Sequence, residues 1–443
     1  MQRRLFAFSP LFAFLVACGS STEGSPPVAP VDTTEPTETP PAPPAPPAVD
    51  NGAPSSVYPA PHPPMPEVVN AAGGKTLATP KVMLLVFPGY EHTAALETFA
   101  QGLGATPYWK AATEEYGVGA IAYAGIKELT GETAPAKITD NEVQAYITDK
   151  LESGALGTPD PSTIYAILYP QTTTITSSGG GLGGGSSCSS FGGYHADTKV
   201  TVAGKTNLYP FAVLPTCAGF GNMKGIDEVT GAFSHELVEA ATDPYPTTDN
   251  GQHSAYSQVD LDHFIWILAG GTETSDLCAQ NGDAFVQLPG FPFTVQRSWS
   301  NVSAKAGHDP CVPVTTQPYF QSAPVLDEDV TLPLPAQFGG QDVPTKGVVV
   351  PVGQSKTIEV DLYSDGPTSG PWTVEAEDAF ARLGGGKTLD LSWDRTQGVN
   401  GEKLHLTVKV TGSSAIVPGA HAFVITSRLG SRKVTWPGLV VEK

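Results

Sequence analysis

The sequence predicts an α/β (or α+β) domain over residues 67–320, followed by an immunoglobulin-like β-sandwich over residues 321–443. Three observations carry this expectation. Val82 to Phe87, Ser162 to Tyr169 and Tyr209 to Leu214 are continuous apolar runs of strand length, as in strands buried on both faces. Segments with helical spacing alternate with these runs, which is the pattern of a layered α/β arrangement. From about Val325 the spacing switches to a period of two and helical faces cease.

The chain opens with a signal peptide, residues 1–17. Arg3 and Arg4 precede an apolar run, Leu5 to Ala17, that is too short to span a bilayer. Leu15-Val16-Ala17-Cys18 resembles a bacterial lipobox, which implies cleavage before Cys18 and lipidation of that cysteine. The expected location is therefore the bacterial cell envelope, lipid-anchored and extracytoplasmic, on the outer membrane or cell surface. Residues 18–66 read as a Pro-rich disordered tether, since runs such as Pro40-Pro41-Ala42-Pro43-Pro44 leave almost no large apolar side chains to bury. Fully extended, the tether would reach on the order of 150 Å.

Within the α/β domain, Leu96, Phe99 and Leu103 mark one helix. Thr139-Asp140-Asn141-Glu142 forms a capping box, flanked by Ile138 and Val143 as a staple, and opens another. Val143, Tyr146, Ile147 and Leu151 supply the apolar face of that second helix. Ser177 to Gly193 is too rich in Gly and Ser for regular structure and reads as a long loop of the kind that serves as a lid or a binding loop. Neither Gly204-Lys205-Thr206 nor Gly386-Lys387-Thr388 has the glycine spacing of a phosphate-binding loop, and no G-x-S-x-G elbow occurs. In the C-terminal region, Thr357 to Leu362, Trp372 to Ala376, Leu404 to Val410 and Ala422 to Ile425 alternate between turn signals such as Asn400-Gly401.

Charge and cysteine content narrow the class. The formal charge is −20, and loss of Arg3 and Arg4 with the signal takes it to about −22. Nucleic acid is not an expected partner, because phosphate binding needs basic patches. Apart from Cys18 there are four cysteines, an even number in an exported chain. Three pairings exist; the sequence-nearest one, Cys188–Cys217 with Cys278–Cys311, is the expectation.

The segment Asp227 to Thr242 is apolar nearly all round, so it reads as a buried helix, ended by Asp243-Pro244. It carries His235, Glu236 and Glu239, which are costly to bury unless paired or bound to a metal. Residues i and i+4 share a helix face, so His235 and Glu239 can grip one ion while Glu236 handles protons, the logic of H-E-x-x-H metallopeptidases with the second histidine replaced. Two carboxylate ligands would neutralise Zn²⁺ and weaken its activation of water. A further histidine (His195, His253 or His263) would offset this. The other cofactor the pattern allows is Ca²⁺, with Asp243, Asp249, Asp260 and Asp262 as oxygen donors.

Gly231-Ala232-Phe233-Ser234-His235-Glu236-Leu237-Val238-Glu239-Ala240 resembles the H-E-L-x-E segment of the exordium/phosphate-induced protein family. Asp276-Leu277-Cys278, Val295-Gln296 with Trp299-Ser300-Asn301, and Cys188 with Phe191-Gly192-Gly193-Tyr194-His195 fit the same group. The resemblance covers roughly residues 80 to 315 and implies an extracellular zincin-like domain. By similarity to thermolysin-like peptidases, Glu273 would be the third zinc ligand and Asp276 would orient the ligand histidine, with Asp276 and His195 as supporting groups or alternative ligands.

Two function classes follow. One is a lipid-anchored zinc-dependent hydrolase, in its leading form a peptidase, acting on a peptide or cell-surface polymer. In it His235, Glu239 and Glu273 bind the metal and Glu236 is the catalytic base. The other is a non-catalytic surface lipoprotein with a binding role, stabilised by a structural metal or a carboxylate cluster.

Overall fold

A computed structural model describes residues 50–177, 184–219, 223–247, 253–269, 271–336 and 340–443. The signal peptide, Cys18 and Asp249 lie outside these residues. The described chain is mixed α/β with a strand-rich C-terminal region.

A five-stranded sheet organises the first region, in the order Ala122–Glu128, Lys81–Val86, Thr163–Tyr169, Lys205–Pro215, Tyr194–Val202. The first four strands are parallel and the last runs antiparallel. Successive side chains of the central strands serve opposite cores. Leu84, Val86, Ile164, Ala166 and Leu168 pack with one set of helices, whereas Leu85, Phe87, Tyr165 and Ile167 pack with the helix Asp140–Glu152. Burial on both faces is why these strands read as unbroken apolar runs rather than as alternation. The Asp140–Glu152 helix starts at the expected capping box, in which Thr139 and Glu142 each satisfy the other's backbone N–H.

Against the first face lie the helices Thr93–Leu103 and Ile226–Thr242. The second contributes Val229, Phe233, Leu237 and Val238, all fully buried. Each such side chain stabilises the packing by about 1.5–3 kcal/mol, enough to hold the helix flat on the sheet although it also carries charged residues.

The Gly-rich stretch differs from the expected irregular loop. Gly185–Ser186 pairs antiparallel with Thr174–Ser177, and Ser187 bridges Phe191. The turn between is closed by Cys188–Cys217, and Cys278–Cys311 forms the second disulfide. Nearest cysteines are thus paired with nearest, as expected. Residues 178–183 are outside the described chain.

The C-terminal region is two facing sheets. One has the order Phe320–Pro324, Ser355–Ser364, Lys403–Val410, Leu389–Trp393. The other runs Glu328–Pro333, Asp342–Val349, Arg432–Val441, Ala420–Leu429, Trp372–Asp378, Gln397–Gly398. Leu404, Leu406, Val408 and Val410 are buried, and the residues between them are not, which is the alternation that marked this strand. The sandwich core continues into the α/β region: Trp266 meets Trp299 and Trp436 edge-on at ring separations of 5.8 and 5.2 Å.

Residues 50–66, expected within the disordered tether, have a defined place. Residues 50–66 are ordered along the sandwich, with Ala60 and Met65 buried. Asn400 is the fastening. Its amide nitrogen donates to the Ser55 and Val57 carbonyls (3.0 and 2.8 Å), and its Oδ1 accepts the Ala60 and Ser364 N–H groups (3.1 and 2.9 Å). His62 stacks on Tyr363 at 3.7 Å. Backbone hydrogen bonds and ring stacking hold this segment, so its scarcity of apolar side chains does not prevent ordering. Among the described residues no helix is long and apolar enough to cross a membrane.

Candidate metal centre

The helix Ile226–Thr242 places Glu236 and Glu239 in the interior, with His235 one step toward solvent. Opposite it runs the edge strand Tyr194–Val202. His195 lies directly across from Ala212, whose side chain faces the same helix, so the imidazole points into the interface. A third element, the turn of residues 272–276 ahead of the short helix Asp276–Ala279, delivers Glu273 and Asp276.

These elements bring seven ionisable groups together: His195, His235, Glu236, Glu239, Asp243, Glu273 and Asp276. Three overlapping sets have donor atoms within 4.8 Å of one another: His235, Glu239, Asp276; His195, Glu236, Glu239; and His195, Asp243, Glu273. His235 Nε2 lies 3.0 Å from Glu239 Oε2 and 3.6 Å from Asp276 Oδ1. His195 Nδ1 is 3.5 Å from Glu236 Oε2 and 3.8 Å from Glu239 Oε2, and its Nε2 is 3.5 Å from Glu273 Oε1.

The expected residues therefore meet, with Asp276, expected as a supporting group or alternative ligand, in the place expected of Glu273. Asp276 completes the set with His235 and Glu239, while Glu273 faces His195 and Asp243. The i,i+4 pair fixes one helix face, but which carboxylate of residues 273–276 reaches it depends on the turn. Of the other histidines, His263 is bonded to Asp260 (2.9 Å) and the Pro64 carbonyl (2.9 Å), and neither it nor His253 belongs to these sets.

Hydrogen bonds orient the donors. Gln296 Nε2 donates to the Ser275 carbonyl (2.8 Å), which turns its Oε1 toward His235 Nδ1 at 3.1 Å. The imidazole proton on Nδ1 then has an acceptor, and Nε2 is directed at the carboxylates, as in metal-ligating histidines. Glu239 Oε1 accepts the Ser275 and Asp276 N–H groups (3.0 and 3.1 Å), leaving Oε2 for His235. Asp243 Oδ1 accepts the Ala255 N–H at 2.6 Å. By contrast, His195 Nε2, Glu236 Oε2, Asp243 Oδ2 and Glu273 Oε1 are buried with no hydrogen-bond partner.

Burial would push both histidines down, but the surrounding carboxylates outweigh it: Glu273, Glu236 and Glu239 hold His195 well above the usual imidazole range, and Glu239, Glu236 and Asp276 do the same for His235. Burial raises Glu273, reinforced by Glu239 and Asp243, and raises Asp276, reinforced by Glu239 and Glu236. Asp243 is pushed up to about 6 by burial. Only Glu239 goes down; burial opposes this and is outweighed by His235, His195 and the Asp276 N–H. Free of metal, the cluster is thus tolerable only by holding protons. Each buried ion carries a penalty of several kcal/mol, and a whole domain is stable by about 5–15 kcal/mol. Five carboxylates and two imidazoles grouped in this way are a donor set that a divalent cation would fit in place of those protons.

Two glycines shape the site, of which Gly193 was noted in the sequence only within a loop and a motif and Gly271 not at all. A Cβ on Gly271, at φ +147°, would fall 1.8 Å from Asp276 Oδ2, and one on Gly193 would fall 2.9 Å from Glu236. Gln296 and Asp243 also acquire roles here; each was noted in the sequence only within a motif or as an oxygen donor. Solvent reaches the cluster from one side: the His235 and Asp276 side chains are 15% and 20% exposed, whereas those of His195, Glu239 and Glu273 are 8% or less.

No family model and no curated protein matches the chain. Among solved structures it is similar to domains 4 and 5 of the S-layer protein SbsC, at 18% identity over 29% of this chain and 79% of that one, with a TM-score of 0.16. A chimeric titin Z1Z2 matches at 14% identity over 28% of this chain and 95% of that one, with a TM-score of 0.15.

Proposed function

We propose that this protein is an extracytoplasmic zinc-dependent hydrolase, in its leading form a peptidase, anchored by a lipid on Cys18. The reading includes a zincin-like α/β domain and the likeness of residues 80 to 315 to the exordium/phosphate-induced proteins. The observation that carries it is the set His235, Glu239 and Asp276, which lies at the solvent-facing edge of the cluster beside the buried, unpartnered Glu236 Oε2. A structural site is closed, whereas a catalytic one keeps a position open to substrate; the partial exposure of His235 and Asp276 favours the second.

His235 Nε2, Glu239 Oε2 and Asp276 Oδ1 would hold Zn²⁺, with the hydrogen bond to Gln296 fixing the imidazole. The ion, when bound, would supply Lewis acidity and lower the pKa of its water, though less than in a histidine-rich set because two carboxylates neutralise its charge. Glu236 would accept a proton from the attacking water and return it to the leaving amine. His195, 3.5 Å from Glu236 Oε2, positions that carboxylate. Gly193 lets the backbone approach Glu236 closely.

Glu236→Gln tests the assignment. The variant should retain bound zinc and lose about 10²–10⁴-fold in cleavage of a peptide library. Wild-type protein with stoichiometric zinc and no cleavage of any peptide would remove the catalytic claim and leave a metal-stabilised surface protein.

A further inference from the structure

We propose that the protein holds a second divalent cation, on His195, Asp243 and Glu273, behind the candidate catalytic ion. The inference rests on the metal reading above but concerns different residues. The two sets share no member: His235, Glu239 and Asp276 on one side, His195, Asp243 and Glu273 on the other, each one imidazole with two carboxylates.

The second set has the stronger mark of a missing partner. All three of its residues carry a buried polar atom without a hydrogen bond: His195 Nε2, Asp243 Oδ2 and Glu273 Oε1. His195 and Glu273 are each 6% exposed and Asp243 is fully buried. Leaving one such group unsatisfied costs about 1–3 kcal/mol, more when it is charged, and the one approach among them that would offset it, His195 Nε2 to Glu273 Oε1, is long at 3.5 Å. A cation satisfies all three together. The other atoms of these residues are already occupied in the sense a ligand needs. Asp243 Oδ1 accepts the Ala255 N–H, and His195 Nδ1 faces Glu236 Oε2, which leaves Nε2 as the donor toward Glu273.

Charge balance points the same way. With the histidines neutral as ligands, Glu236, Glu239, Asp243, Glu273 and Asp276 present five negative charges. One divalent cation leaves three uncompensated in the interior; two leave one, the charge a general base at Glu236 requires. An imidazole with two carboxylates suits Zn²⁺ or Mn²⁺ better than Ca²⁺, which takes oxygen donors. Because the set is closed to solvent, the second ion has a structural role. It ties the edge strand, the end of the long helix and the turn at residue 273 into one unit.

The test is zinc stoichiometry of the full chain, stripped with chelator and titrated with Zn²⁺ alone. Wild type should take up two equivalents, and His195→Ala and Glu273→Gln one each. Asp276→Asn should also take up one, and the His195→Ala/Asp276→Asn double variant none. Glu273→Gln is nearly isosteric, and near-UV circular dichroism separates loss of a site from loss of the fold. Crystals of the zinc-loaded protein should show an anomalous peak at His195 Nε2. One equivalent in wild type, lost in Asp276→Asn and kept in His195→Ala, would overturn the second site and spare the proposed function. Two equivalents in both wild type and Glu273→Gln, with no anomalous peak at His195, would also overturn it. No zinc in wild type would overturn both readings.

Discussion

Asp243 gives a quantitative handle on the metal-free state. Burial pushes its carboxyl from an ordinary 3.8 up to about 6. A folded value above the unfolded one means that the folded protein prefers the protonated form. The stability this represents is fully present below about pH 3.8 and is lost as the pH rises through about 6. At roughly 1.4 kcal/mol per unit, a shift of about two units amounts to about 3 kcal/mol at neutral pH. Asp243→Asn removes the titration and keeps an oxygen for the Ala255 N–H. In excess chelator the variant should therefore match wild type near pH 4 and exceed it by about 3 kcal/mol at pH 7.5. With zinc present the order should reverse, because the wild-type carboxylate then has a cation beside it. Urea unfolding followed by tryptophan fluorescence at the two pH values measures both differences. If chelated Asp243→Asn is less stable than chelated wild type at pH 7.5, or the difference does not change with pH, the electrostatic account of the cluster is wrong.

Three further outcomes are expected. Gly271→Ala should displace Asp276 and weaken the solvent-facing zinc site about 10–100-fold in a competitive chelator titration, since its Cβ would overlap the carboxylate; unchanged affinity would contradict the close approach. Gln296→Leu should lower affinity at the same site by a similar factor, with Gln296→Glu recovering most of it, because only the latter keeps an acceptor for His235 Nδ1. Replacing Cys278 and Cys311 by alanine opens a loop of 33 residues and should cost about 3–4 kcal/mol in urea, with zinc binding weakened because Asp276 lies two residues from Cys278.

The parts of the molecule legible in the sequence are those where one local demand dominates. Val82 to Phe87 needs apolar side chains on both faces, and Thr139 to Glu142 needs a reciprocal cap; neither depends on distant residues. The helix with His235 and Glu239 was equally plain, because charges on an all-round apolar helix have few explanations. The edge strand Tyr194–Val202 was missed for an instructive reason. Its inward positions include His195 and Asp197, both buried, so its polar-looking pattern hides a strand whose interior face serves the site. The placing of Asp276 where Glu273 was expected had the same origin. Both lie in one short turn, and the hydrogen bonds from Ser275 and Asp276 to Glu239 determine which carboxylate faces His235. The roles of Gly193 and Gly271 were silent because close approach is a property of two segments at once.

The Asn400 clasp has a mechanical consequence. It bonds Ser55 and Val57 to a residue 345 and 343 positions farther along the chain. Tension applied from the N-terminal side arrives first at Asn400 and at the bridge between Gly52 and Glu402. A pull on residue 50 would thus load the C-terminal sheets before it reached the candidate metal centre.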